Sequence, residues 1–160
     1  MKKRVADFIA DYLAENGMDR IFTVTGGGAM HLNDAFGHHP ALGCVYNHHE
    51  QACAMAAEGY TRLSGKTSVV CVTSGPGGTN ALTGVMGAWL DSVPMIIISG
   101  QMKFETTIAS TTVPLRQLGF QEFNILDAVR CMTKYCVMVK NANDIKYFLD
   151  KAKNIAENGR

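Results

Sequence analysis

Two glycine clusters and one carboxylate are the places where this sequence could do chemistry. Gly26-Gly27-Gly28 and Gly75-Pro76-Gly77-Gly78-Thr79-Asn80 each follow a short apolar run, and Glu50 opens an alanine-rich stretch behind Asn47-His48-His49. Glycine turns between a strand and a helix often cradle phosphate, because they let backbone N–H groups approach closely. Neither cluster completes such a fingerprint: the third required glycine position holds His31 in the first and Asn80 in the second. Gly65-Lys66-Thr67 imitates the end of a P-loop, but its upstream glycine position is Tyr60 and the triplet precedes a strand instead of following one. These loops can still receive a polar ring or another chain. Glu50 alone reads as a solvated first-turn carboxylate favoured by the helix dipole. Covered by another surface, the same group could share a proton near neutrality, since burial disfavours its charged form.

Other polar residues carry two readings each. His31, just past the first glycine turn, either orients a substrate or decorates a helix face, and His48 and His49 are either functional or structural. Thr79 and Asn80 either cap the following helix or touch a ligand. Met55, Met86 and Trp89 read as core or interface packing, and no His, Cys or Asp pair has the spacing of a zinc site.

The elements that must position these groups follow from periodicity. Val5, Phe8, Ile9, Tyr12 and Leu13 recur at helical spacing, with Gly17 as the stop. Strands are expected over 21–25, 42–46, 68–73, 94–99 and 135–139, and helices over 29–36, 48–63, 124–129 and 143–154. Ala81, Leu82, Val85, Met86 and Trp89 form a further helical stripe, residues 101–121 show no period, and Asn141 or Asn143 is the expected cap of the last helix. Strands that are apolar throughout and alternate with helices imply a single α/β domain over 1–160, a doubly wound, mostly parallel sheet with helices on both faces. Ligands in such sheets bind beyond the carboxyl ends of the strands, which directs attention to residues 25–28, 47–50 and 74–80.

Composition narrows the function classes. A net charge of +1 and the lack of a Lys/Arg face exclude a nucleic-acid footprint. Asp7 and Asp11 interrupt the apolar run after Lys2-Lys3-Arg4, which argues against a signal peptide, and no uninterrupted apolar run is long enough for a membrane helix. Five cysteines without a CxxC pair read as free thiols of a reducing, cytoplasmic compartment.

Five ordered segments resemble one family. Asn47-His48-His49-Glu50-Gln51-Ala52, followed by Ala56-Ala57-Glu58-Gly59-Tyr60-Thr61-Arg62, is similar to the His-Glu-Gln…Ala-x-Gly-Tyr-Ala-Arg signature of thiamine-diphosphate decarboxylases and carboligases. Gly75–Asn80 resembles their Gly-Pro-Gly-x-Thr-Asn loop, and Asp91-Ser92-Val93-Pro94 through Ser99-Gly100-Gln101 their Asp-x-x-Pro…Gly-Gln strand. Phe120-Gln121-Glu122 with Thr133-Lys134 resembles the acetolactate synthase subgroup. The chain departs from that subgroup at Thr25, where a proline is usual, and at His31 and Asn33, beside the substrate region.

The resemblance implies a pyrimidine-binding domain of a 2-keto-acid decarboxylase or carboligase. In it Glu50 would hydrogen-bond the aminopyrimidine and favour the tautomer that takes the thiazolium C2 proton; decarboxylation and capture of a second keto acid would follow. Thr25, Gly26, Gly27, Pro76 and Asn80 are the expected cofactor contacts, and His31, Gln101, Phe120 and Gln121 the expected substrate residues. The family holds the diphosphate through Mg²⁺ on a separate domain, marked by Gly-Asp-Gly and a later Asn-Asn, and neither motif occurs here. The resemblance thus implies a chain that continues beyond Arg160, a middle domain in which FAD remains open, and a homodimer or tetramer formed through the cofactor-site face. The alternatives are the small subunit of a split 2-keto-acid decarboxylase, or a non-catalytic α/β binding or assembly module.

Overall fold

The computed structural model describes residues 2–159. Its centre is a four-stranded, fully parallel sheet in the order β2-β1-β3-β4, built from β1 (Arg20–Thr23), β2 (Gly43–Tyr46), β3 (Ser68–Val72) and β4 (Met95–Ser99). The helices are α1 (Val5–Glu15), α2 (Met30–His38), α3 (Glu50–Ser64), α4 (Pro76–Asn80), α5 (Leu82–Leu90), α6 (Ile125–Val129) and α7 (Ile145–Glu157). Every residue of β3 is buried, as a central parallel strand covered on both faces requires.

Successive side chains of a strand point to opposite faces, and the two cores follow that alternation. Ile21, Val69 and Cys71 face Ile9 and Leu13 of α1, Phe36 of α2 and Leu149 of α7. Phe22, Val70 and Val72 face Cys53, Ala54 and Ala57 of α3 and Val85 of α5. The alanines of α3 have a packing purpose: a Cβ on Gly84 of α5 would stand 2.5 Å from the Ala54 Cβ, so the two helices touch at van der Waals distance only because both residues are small. The α/β architecture with helices on both faces is therefore as expected.

Several boundaries and one element differ. The β1 ladder ends at Thr23, short of Thr25, and α3 begins at Glu50, two residues after His48. Residues 135–139 form no strand: the ladder ends at β4, and an extended segment without a hydrogen-bonding neighbour is not part of a sheet. Thr79 and Asn80 do not cap α5, because they lie inside the short helix α4 and Ala81 joins the two helices. The Asn141 side chain accepts from the Asn143 N–H, capping the 3-10 turn that leads into α7. Met55, Met86 and Trp89 are not core; all three are exposed on the outer side of α3 and α5. Among the described residues, no helix is long and apolar enough to cross a membrane.

Candidate functional site

The carboxyl ends of β1, β3 and β4 bring three turns together, and the N-terminus of α3 enters the same region. Thr73, one residue past β3, links the two glycine clusters. Its hydroxyl oxygen accepts from the Gly28 N–H at 3.0 Å. A Cβ on Gly26 would stand 2.5 Å from the Thr73 Cβ, and one on Gly77 2.6 Å from its Cγ2. Gly100, after β4, would collide with the Gly28 carbonyl if it carried a side chain. Gly26 and Gly77 are required by the Thr73 side chain that lies against both, and Gly100 by the backbone of Gly28. Asn33 of α2 closes the first turn from behind: its Oδ1 accepts from Gly26 N–H at 3.4 Å and its amide donates to the Thr23 hydroxyl at 3.3 Å.

Glu50 lies at the edge of this arrangement as the first residue of α3 and is 8% exposed. Asn80, from the second glycine cluster, donates its Nδ2 to Glu50 Oε2 at 2.9 Å. No described group donates to Oε1, yet no buried side-chain oxygen is left without a partner among the described residues. Oε1 therefore keeps an open edge. A Cβ on Gly77 would lie 3.4 Å from it, so the missing side chain is what leaves room beside this oxygen. The carboxyl thus has one oxygen held by an amide and one without a hydrogen-bond partner among the described residues. Behind it, burial pushes the Cys53 thiol up, and the neighbouring Glu50 charge adds to that rise. Burial takes the Cys71 thiol, beneath the first turn, up to about 12. Neither thiol offers a nucleophile at neutral pH.

The remaining candidates divide. Thr25 and Gly27 are exposed on the first turn, Gly26 is half-buried, and Pro76 is exposed at the start of α4. His31 is exposed on the first turn of α2. Gln101 is half-buried and engaged with its own loop: Oε1 accepts from the Met102 N–H at 3.0 Å, and Nε2 donates to the Phe123 carbonyl at 3.5 Å. Phe120 is exposed, and Gln121 adopts a left-handed conformation with φ 54°. That turn sits directly on Gly75, itself at φ 59°, where any Cβ would collide with the Gln121 carbonyl oxygen. Two segments far apart in sequence thus meet beside the Glu50 region.

Thr73 is not singled out by the sequence, and Asn33 and Glu122, which stand in its motifs, have bonding roles that the motifs do not show. Glu122 accepts three backbone N–H bonds, from Ile108 at 2.7 Å and from Leu118 and Gly119 at 3.0 Å each, and so closes the loop that carries Phe120. The only sequence signal for Thr73 was its place between a buried strand and a glycine cluster. Conversely, the second half of the Glu50 segment is structural. Tyr60 donates to Asp19 at 2.6 Å, and Thr61 to Ser68 at 2.8 Å. Arg62 pairs with Glu58 and Asp91, tying α3 to the turn before β4.

Among the described residues, no group of three or more His, Cys, Asp or Glu side chains is placed to hold a metal ion.

A family model described as "Thiamine pyrophosphate enzyme, N-terminal TPP binding domain" matches residues 3–128. The acetolactate synthase large subunit of Haemophilus influenzae is 39% identical over 155 residues, covering 97% of this chain and 26% of the relative. That of Buchnera aphidicola is 37% identical, with the same coverage of 97% and 26%. The chloroplastic acetolactate synthase of Arabidopsis thaliana is 35% identical over 161 residues, covering 99% of this chain and 22% of the relative. The chain spans about a quarter of the length of these curated relatives. It belongs to the thiamine pyrophosphate enzymes, as an N-terminal TPP-binding domain of the acetolactate-synthase-like group.

Proposed function

We propose that this domain serves a thiamine-diphosphate-dependent 2-keto-acid carboligase of the acetolactate synthase type, and that Glu50 is its cofactor-activating carboxyl. The single observation that carries the reading is the state of Glu50: buried, anchored by Asn80 through one oxygen, and open at the other. The residues present fit the pyrimidine end of the cofactor. A half-satisfied carboxyl presents an acceptor, and the cradle beside it exists only because Gly77 lacks a Cβ. When bound, the cofactor supplies a carbon acid and an electron sink for decarboxylation.

The contribution of this chain is positional and protonic. Glu50 Oε1 would hold a proton shared with a ring nitrogen, while the Asn80 amide would keep Oε2 from rotating into the same role. Thr25, Gly26 and Gly27 of the first turn and Pro76 of the second are the cofactor contacts in this reading, where two glycines without side chains and a rigid proline would allow a flat ring to come close. His31, Gln101, Phe120 and Gln121 border the substrate side. Gln101 is committed to its loop, so it supports the wall more than it reaches into the site. Mg²⁺ and the diphosphate fall to other parts of the protein, as does any FAD. A homodimer or tetramer formed across the cofactor-site face would complete the site.

The test is CO2 release from pyruvate by the full-length protein with thiamine diphosphate and Mg²⁺, beside a Glu50→Gln variant. Cofactor-dependent release that falls by about two orders of magnitude or more in the variant, the lower end of a general acid–base contribution, supports the reading. Cofactor binding without release moves the search to other 2-keto acids. Absence of both release and cofactor binding sinks it, leaving a binding or assembly module.

A further inference from the structure

We propose that His49 is a positioning residue for Glu50, acting as the N-cap of α3 through its imidazole Nδ1; the functional part of this inference rests on the reading of Glu50 above. The first N–H groups of a helix have no partner within it. Here the Gln51 N–H donates to His49 Nδ1 at 3.1 Å, and the Cys53 N–H donates to the His49 carbonyl at 3.2 Å. The His49 backbone is extended, with φ −156° and ψ 142°, as an N-cap requires. Histidine is not among the usual capping residues, which is why the sequence alone does not reveal it.

The location of the cap is what gives it functional meaning. Among the described α-helices, α3 alone has a side chain accepting from its first turn; α1, α2, α4, α5, α6 and α7 have none. The capped turn begins with Glu50 itself. Because Glu50 is the first helical residue, the direction of its Cα–Cβ bond is set by that turn and by nothing before it. Its carboxyl must then reach Asn80 on a loop from another strand, at 2.9 Å, and keep Oε1 in the cradle beside Gly77. Fraying of one turn would release both constraints together. Glu50 is thus held at two points, its backbone by His49 and its carboxyl by Asn80.

The test uses the full-length protein and measures backbone amide exchange across residues 50–55, together with kcat and KM. His49→Ala should speed exchange of the first-turn amides roughly five- to tenfold, the usual effect of losing a cap, and lower kcat while leaving KM for the 2-keto acid unchanged. His49→Asn, a residue that caps well, should restore both. Unchanged exchange in His49→Ala would overturn the cap, as would an Asn variant that behaves like the Ala one. A Glu50→Gln variant run in parallel separates the two readings. If it is inactive while His49→Ala keeps wild-type exchange and turnover, the inference about His49 fails alone. If Glu50→Gln remains active, the role of Glu50 fails and with it what His49 positions, whatever the exchange rates say about the cap.

Discussion

Glu50 and Asn80 are thirty residues apart in the chain and 2.9 Å apart in space, and the chemistry proposed for the domain depends on that distance. The pair explains why an amide is useful at the second glycine cluster, since it can hold one carboxyl oxygen without competing for the proton on the other. Asn80→Ala should leave Oε2 without its partner in a mostly buried site. An unmade hydrogen bond of this kind costs about 1–3 kcal/mol. Turnover of the full-length enzyme should therefore fall roughly five- to hundredfold, and the melting temperature should fall as well, because the oxygen left unpaired belongs to buried Glu50. Steady-state kinetics beside a thermal melt would check this, and wild-type turnover in the variant would show that Glu50 does not need its anchor. At this scale the place of Glu50 in the first turn of α3 was legible in advance, because it stood inside an ordered set of motifs. Thr73 was not, because a threonine after a strand has no distinctive spacing and acquires its role only when two distant turns close around it.

At the scale of elements, the site depends on close contacts that small residues permit. Gly84→Val should force α5 away from Ala54 on α3, the helix that carries Glu50. Overpacking of this kind costs about 1–3 kcal/mol, so the denaturation midpoint should drop while the slope stays constant. A midpoint equal to that of the wild type would mean that α3 and α5 can separate freely. The loop before α6 offers a test through pH. Burial pushes the Glu122 carboxyl up, but the backbone N–H groups of Gly119, Leu118 and Ile108 outweigh it and leave the group below its ordinary value. A carboxyl depressed in the folded state contributes order that is present above its unfolded pKa of about 4.3 and disappears as pH falls through the lower folded value. Limited proteolysis within 104–123 should therefore stay slow from about pH 5 to 8 and accelerate below about pH 4. Glu122→Gln should be cleaved readily throughout. A flat profile in the wild-type protein would remove Glu122 as the clasp of this loop.

For the whole molecule, the outer side of α3 and α5 is the feature to explain. Met55, Met86, Trp89 and Leu90 are all exposed there, and residues 86, 89 and 90 share one helix face by spacing. Apolar residues gathered this way mark association surfaces more often than solvent-facing ones. We propose that the second copy of the chain that meets the cofactor-site face also covers this outer face. Met86→Asp should then lower the sedimentation coefficient of the full-length protein at micromolar concentration, and Trp89 emission should shift to the red as the partner leaves. An unchanged coefficient would assign the patch to some other purpose.

The sequence by itself determined the α/β class, the order of the first four strands along the chain, the glycine turns, and the family through motifs spread over most of its length. These are local properties: apolar runs, helical periods and short signatures survive being read one segment at a time. The tertiary structure alone decided which residues of those motifs bond within the fold. Tyr60, Thr61 and Arg62 belong to the same signature as Glu50, yet they bind Asp19, Ser68 and Asp91 and hold α3 in place. It also decided that residues 135–139 have no ladder partner, and that Gly75 is occupied from the other side by Gln121. Each of these depends on what a residue meets across the fold. Hydrogen bonds and steric exclusion act over a few ångströms of space, and the positions they join lie 30 to 48 residues apart in pairs such as Glu50–Asn80 and Thr23–Cys71, a separation that local pattern does not encode.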